Sequence, residues 1–432
     1  MSTKIKQHLY LVGIGRVGMQ WLAYWALKQG YRVSGSDLAP SLVTDRLSAK
    51  GAVIHYGVHP EQIPSDITEA IINSAITPSS PSYPELLELQ RRNIPVVKRA
   101  EWTGRITKEK FTIAVCGTHG KTTTTAMIGW MMEKAGLDPT VFVGGTMKEW
   151  NHETRIGGSK YLVIEADEYD RSFHQFFPKI VVVLNIDLDH TDYYVNGLNE
   201  IKESFRKFLD NLPPDGLVVA YNGDVNIHDV VNSHHVKWYE SSDIELMVPG
   251  KHNRLNAQAA MLVGEALGIE RKVIEEALRS FPGVGRRFEF MGKFGSLDWY
   301  DDYGHHPTEI KATLQATREK FGNDRLVVVF QPHQRARLNA LLKEFGRCFD
   351  DNHPSELVIA PLYHVAGREQ DIPITHEDLG REIEKGKPVD MKLHVPNDNE
   401  EMRNMLVELS KKGGKLLTIG AGSIRGLVEG WK

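Results

Sequence analysis

The chain has 432 residues, 41% hydrophobic and 25% charged, with a formal net charge of -4. Domains of about 100–200 residues set an expectation of two to four units, each able to bury a core, and a slightly acidic chain without a basic block excludes a nucleic-acid footprint. Two cysteines (Cys116 and Cys348) suggest no disulfide framework, the start Met1-Ser-Thr-Lys has no apolar signal region, and apolar runs such as Ile180–Ile186 are too short to span a bilayer, so a cytoplasmic protein without membrane insertion is expected.

The first predicted strand is Leu9–Val12. Gly13-Ile-Gly15-Arg-Val-Gly18 follows, then a helix over Met19–Gln29 and a second strand from Tyr31 to Gly35 that ends at Ser36-Asp37. This is a βαβ unit with a dinucleotide-type glycine fingerprint and an acid about 20 residues on. On residues alone two readings stay open: a nicotinamide-type nucleotide site, or glycines kept for packing. A polar, charged break is expected at Trp102–Lys110.

Phe111–Cys116 reads as a buried strand running into Gly117-Thr118-His119-Gly120-Lys121-Thr122-Thr123. Gly117 and Gly120 let backbone N–H groups face an anion, and the helix opening at Lys121 adds positive potential. The spacing is Gly-x-x-Gly-Lys-Thr, with Val115 where a general P-loop has its first glycine. Lys121 suits terminal phosphate oxygens and Thr122 suits Mg²⁺, so the implied ligand is ATP.

Two later strands end in polar clusters. Tyr161–Ile164 leads into Glu165-Ala-Asp-Glu168, with Glu165 the first choice of metal ligand, and Ile180–Leu184 leads into Asn185-Ile-Asp-Leu-Asp-His190-Thr-Asp192. A strand is predicted at Leu217–Ala220 and a helix at Leu255–Leu267, with Asn253 and Asn256 before or on it as helix caps or ligands. A third unit starts near Gly285-Arg-Arg-Phe288 and carries Asp301-Asp-Tyr-Gly-His-His-Pro307. Its later strands are Leu326–Phe330, followed by Arg335 and Arg337, then Leu357–Ala360 and Leu416–Ile419, which runs into Gly420-Ala-Gly422. Paired hydrogen bonds make such arginines suited to a carboxylate. Strands alternating with helices predict three tandem α/β units with mostly parallel sheets.

Together these strings resemble the Mur ligases of peptidoglycan synthesis over nearly the whole chain, and Asp301–Pro307 resembles the alanine-adding branch. The resemblance implies a Rossmann-like UDP-sugar-binding domain over residues 1–107, a central P-loop ATPase-like domain over 108–285 and a Rossmann-like amino-acid-binding domain over 286–432. It assigns Gly13, Gly15, Gly18, Asp37, His59, Ser74 and Ala75 to the UDP-sugar. It assigns Gly117, Thr118, His119, Gly120, Lys121, Thr122, Thr123, Asn253, Asn256 and Arg287 to ATP, and Thr122, Glu165 and His190 to Mg²⁺. Tyr303, His305, Arg335 and Arg337 fall to the amino acid, and the catalytic set is Lys121, Glu165, His190, Asp302 and His305. The implied reaction couples the carboxylate of UDP-N-acetylmuramate to L-alanine through an acyl phosphate, with His305 or His306 as candidate base. Three positions depart from the family pattern: Arg16 in place of a glycine, as a cation for the diphosphate; Gln334 in place of an arginine, with Arg335 as a neighbour able to compensate; and Ser423 in place of an acid. The alternatives are a recycling ligase acting on the same sugar with a whole murein peptide, an NAD(P)-dependent oxidoreductase, and a non-catalytic nucleotide sensor. A monomer and a homodimer are equally compatible with the sequence.

Overall fold

Short β-branched runs bounded by glycine and charge form strands buried on both faces, and here they build three separate sheets. The computed structural model describes residues 7–16, 18–150, 152–190, 193–231, 234–364 and 372–431. The first sheet holds β1 (His8–Val12), β2 (Arg32–Asp37), β3 (Val53–Tyr56), β4 (Glu69–Ile72) and β5 (Val96–Lys98), all parallel in the order 3-2-1-4-5. The central sheet holds β6 (Phe111–Cys116), β7 (Thr140–Met147), β8 (His152–Arg155), β9 (Tyr161–Glu165), β10 (Ile180–Val183), β11 (Leu217–Tyr221) and β12 (Val236–Tyr239). Its order is 12-11-10-6-9-7-8, and only the edge strand β8 is antiparallel. The third sheet holds β13 (Glu289–Phe294), β14 (Leu297–Asp302), β15 (Leu326–Phe330), β16 (Glu356–Ile359), β17 (Lys392–His394) and β18 (Gly414–Ile419), in the order 13-14-18-15-16-17 with β13 antiparallel. The expected three-unit α/β architecture is therefore present. Among the described residues no helix is long and apolar enough to cross a membrane.

The helix Lys121–Lys134 is buried from Thr122 to Met132, so it forms the spine of the central domain instead of an amphipathic surface helix. It packs on the helix Lys251–Ala266 and under β7. Parallel strands send their carboxyl-end loops to one edge, which is where ligands bind in such sheets. The loops after β6, β9 and β10 meet the loops after β14 and β15 there.

One expectation fails. The Trp102–Lys110 stretch is not a break but part of a helix, Arg99–Glu109, with Trp102, Thr103, Gly104, Ile106 and Thr107 buried. Its charges sit on one face while Trp102 packs edge-on against Trp25 at 5.4 Å and donates to Glu69 at 3.0 Å. Polar composition alone concealed that stripe. The domains also touch directly: Trp21 of the first stacks on Phe142 of β7 at 3.8 Å, and the Ser74 hydroxyl donates to Asp170. Gly285, where the chain enters the third domain, donates its N–H to Thr146 O on β7 at 2.8 Å.

The Arg99–Glu109 helix sits so close to the central domain that a Cβ on Gly104 would lie 2.2 Å from Gln175 O. Gly104→Ala is expected to destabilise the protein by about 1–3 kcal/mol. A lower denaturant midpoint at unchanged m-value checks this, and an unshifted midpoint refutes it.

Candidate active site

β6 ends in a turn where Gly117 (φ 131°) and Gly120 (φ 86°) occupy backbone regions that suit glycine. Both also lack room for a side chain: a Cβ would lie 3.0 Å from the Asn185 backbone at Gly117 and 2.9 Å from Asn256 Oδ1 at Gly120. Asn185 clamps the turn from β10. Its Oδ1 accepts from His119 N at 2.7 Å, its Nδ2 donates to His119 O at 3.0 Å, and its carbonyl accepts from Thr118 N at 3.1 Å. Thr122 and Thr123 follow in the first helical turn, where the free N–H groups and the dipole favour an anion.

Lys121 Nζ donates to Gly117 O at 2.7 Å and to Glu168 Oε2 at 2.8 Å. Burial opposes its charge, yet the Glu168 and Asp167 carboxylates outweigh burial and raise its pKa, so it stays an ammonium. Thr122 Oγ1 donates to Glu165 Oε2 at 3.2 Å, and the other Glu165 oxygen accepts from Gly144 N. Burial pushes the Glu165 carboxyl up despite that bond. A hydroxyl beside a half-buried carboxylate is a hard-oxygen donor pair of the kind Mg²⁺ takes. A second group, Asp167, Glu168 and His190, brings its ligand atoms within 4.8 Å of one another. His190 adopts φ 51°, a strained value that its loop imposes. Asp192 lies outside the described residues.

Beside the turn, a cavity of about 500 Å³ has Leu184, Ile186, Tyr221 and Tyr239 on its walls, with Asn253, Asn256, Arg287 and Asp302 also lining it. An apolar slot with a few polar groups suits a nucleotide base. The two asparagines lie inside the helix Lys251–Ala266 and do not cap it, since Gly250 holds the cap position; Asn253 Nδ2 donates to Pro249 O at 2.6 Å. Asp302 is held by Phe288 N at 2.9 Å and Gly304 N at 2.8 Å.

A larger cleft of about 790 Å³ places Lys121, Thr122, Glu165 and His190 opposite Tyr303, His305, Gln334 and Arg337 of the third domain. Tyr303 lies under two guanidinium groups, those of Arg286 at 4.9 Å and Arg287 at 5.2 Å. Burial lowers His305 to about 4, so it is a neutral imidazole facing the cleft. The other candidate base, His306, serves the backbone: its Nδ1 accepts from Thr308 N and caps the helix Pro307–Phe321. Arg337 is 7% exposed and grips Asp189 of the central domain, with Nε to Oδ1 at 3.0 Å. Its pull holds Asp189 well below the usual carboxylate range although burial acts the other way. Arg335 is not brought to the cleft; it donates to Ile372 O at 3.1 Å and Ile374 O at 2.5 Å. It therefore does not stand in for the arginine that Gln334 replaces.

In the first domain, Ser74 and Ala75 line a further cleft of about 1000 Å³ facing the central domain. Gly13, Gly15 and Gly18 form the turn beside it, and Asp37 accepts from Gly15 N at 2.8 Å. His59 stands apart, paired with Glu61 at 3.0 Å. Sequence reasoning missed Asn185 as a clamp, the aromatic walls of the cavity beside the turn, and Asp189 as the partner of Arg337. Asp189 and Arg337 are 148 residues apart, and no local spacing links them.

A glycine turn opening a helix at Lys121 on a parallel sheet, roofed by a third domain bearing cations and neutral histidines, fits a nucleotide-dependent ligase of three-domain build. Three family models agree: "Mur ligase family, catalytic domain" over residues 8–111, "Mur ligase middle domain" over 115–240, and "Mur ligase, glutamate ligase domain" over 286–422. The UDP-N-acetylmuramate--L-alanine ligase of Clostridium botulinum (strain Langeland) is 38% identical over 453 positions, covering 97% of this chain and 96% of that protein. The protein of the same name from Geobacter sulfurreducens is 36% identical, covering 98% and 96%. Among solved structures, the UDP-N-acetylmuramate-alanine ligase of Thermotoga maritima superposes with a TM-score of 0.78 at 26% identity over 98% of both chains. The chain belongs to the Mur ligase family.

His119 bridges the two domains of this cleft. Its Nε2 lies 3.5 Å from Asp187 Oδ2 and its Nδ1 3.4 Å from Glu309 Oε1. Burial disfavours the imidazolium, but the two carboxylates prevail and raise its pKa from 6.5 to about 9. The stabilisation is complete below about 6.5 and is lost as pH rises through about 9. Unfolding free energy is expected to fall more steeply between those limits for the natural protein than for His119→Gln. Equal pH dependence in chemical denaturation refutes the bridge.

Proposed function

We propose that the protein joins L-alanine to the carboxylate of UDP-N-acetylmuramate, converting ATP to ADP and phosphate, in the making of peptidoglycan precursors. One observation carries this reading: Lys121, Thr122 and Glu165 share a single cleft with Tyr303, His305 and Arg337 of a domain arriving from the other side. The similarity to proteins named for that reaction runs along nearly the whole chain, fingerprint Gly13–Asp37 included, which sets aside the oxidoreductase reading.

The chemistry follows from charge. A carboxylate and a triphosphate repel, and catalysis of their reaction depends on positioning and on fixed positive charge. Lys121 and the helix N-terminus behind it supply that charge at the γ-phosphate. Thr122 and Glu165 would hold Mg²⁺, with His190 close by; the ion would neutralise charge on the β- and γ-oxygens. The sugar carboxylate takes the γ-phosphoryl group, ADP leaves, and a mixed anhydride forms. The neutral amine of alanine then attacks the activated carbonyl and phosphate departs. His305, a neutral imidazole facing the cleft, serves in this reading to accept a hydrogen bond from the amine and orient it, since a pKa lowered to about 4 makes it a weak base. A mixed anhydride hydrolyses in water, so the third domain's roof over the cleft is part of the reaction. Use of ATP and a UDP-sugar accords with a cytoplasmic enzyme.

The test is phosphate release with ATP, Mg²⁺, UDP-N-acetylmuramate and single amino acids. Alanine is expected to give the highest kcat/KM. Response only to a murein tripeptide would favour the recycling ligase, and nucleotide binding without release under any pair would favour a sensor. Lys121→Ala is expected to lower kcat by roughly 100-fold or more while retaining UDP-sugar binding; unchanged turnover contradicts the role of the lysine.

A further inference from the structure

The glycine turn of the first domain carries a problem that its sequence conceals. A Rossmann-type turn recognises a diphosphate through free backbone N–H groups. Here four of them are engaged: Gly13 and Ile14 donate to Ser36 O at 2.8 and 2.9 Å, Arg16 donates to Gly13 O at 3.1 Å, and Gly15 donates to Asp37 Oδ2 at 2.8 Å. The last bond also seats a carboxylate on the turn, where it repels an approaching anion.

Positive charge stands alongside instead. Arg16, Lys98 and Arg99 all line the cleft between the first and central domains. Arg16 lies across the turn, its Cδ 3.3 Å from where a Cβ on Gly13 would stand, and Arg99 Nη1 is 3.0 Å from the equivalent point on Gly18. Two glycines thus make room for two guanidinium groups. Among the described residues none of the three cations has a carboxylate within ion-pair distance, whereas the fourth, Arg171, is bound to Glu200 at 2.5 Å. Of the two acids that line the cleft, Glu101 and Asp170, the second is occupied by the hydroxyls of Ser74 and Ser172.

On the reading that this cleft takes UDP-N-acetylmuramate, we propose that the diphosphate is held by the side chains of Arg16 and Arg99, supported by Lys98, which take the place of the engaged N–H groups of Gly13, Ile14, Gly15 and Arg16. A guanidinium grips phosphate oxygens through two parallel hydrogen bonds, which a backbone turn closed by Asp37 does not offer. Arg16 is then a specificity residue for the nucleotide-sugar: it selects for the diphosphate and is indifferent to the base.

The experiment is equilibrium binding of UDP and of uridine to the full chain, followed by calorimetry, for the natural protein and for Arg16→Ala, Arg99→Ala and Arg16→Lys. Each alanine variant is expected to bind UDP roughly 10- to 100-fold more weakly, the cost of losing a hydrogen-bonded charge. Uridine affinity is expected to stay the same, and Arg16→Lys is expected to fall between. ATP binding in the same variants, at the separate central cleft, shows that they are folded. UDP affinity within twofold of the natural protein in both alanine variants overturns the proposal, as does equal weakening of uridine and UDP, or no UDP binding to the unaltered chain. If UDP binds as expected but no phosphate is released with UDP-N-acetylmuramate, ATP and alanine, the ligase reading fails while the diphosphate assignment stands.

Discussion

A half-buried ammonium surrounded by carboxylates governs the electrostatics of the central cleft. Glu165, Asp167, Glu168 and Asp189 converge there from the ends of β9 and β10. Left alone, such a cluster would protonate or push its loops apart. Lys121 answers it from within the domain, through Glu168, and Arg337 answers it from the third domain, through Asp189. The two cations are not equivalent. Lys121 rides on a helix buried on all sides and is fixed by the fold, whereas the pairing of Arg337 exists only when the third domain lies against the central one. An acid cluster that would be costly in isolation is thereby made a reason for the domains to meet.

The contacts at that meeting are concentrated at strand ends. Asp187 accepts from Thr308 at 3.0 Å, Asp189 from Arg337, and His119 lies between Asp187 and Glu309. Each joins a loop after β6 or β10 to an element following β14 or β15. The same loops carry the phosphate turn and His190, so closing the domains and assembling the site are a single event. This economy suits a reaction whose intermediate must be kept from water.

Much of this was legible in the chain because parallel strands buried on both faces appear as unbroken apolar runs. Phe111–Cys116, Ile180–Val183 and Leu326–Phe330 announce themselves in that way, and the polar residues at their ends mark the crevice. The Arg99–Glu109 helix did not, because its charged face dominates its composition and its stripe is short. The hairpin β7–β8 was missed since Gly144 and Gly145 interrupt the β-branched run. Arg335 and Arg337, two positions apart after one strand, look alike in sequence; the carbonyls of Ile372 and Ile374 capture the first, while Asp189 takes the second. The glycine turn is the subtler case: its pattern reports the backbone shape faithfully, but whether its N–H groups are free depends on where the Asp37 carboxylate points.

Within five residues the strand β7 touches the first domain, its own domain and the chain at the entry to the third. Phe142 lies against Trp21 of the first domain, Gly144 fixes the Glu165 carboxylate, and Thr146 is tied to Gly285 at the entry to the third. It lies near the sheet edge, between β9 and the short antiparallel β8, so neighbours restrain it less than they restrain β6 or β10. Such a strand is a shared seam: whatever bears on Phe142 from the first domain, or on Thr146 from the chain at Gly285, bears on the same short segment that holds the acid beside Thr122.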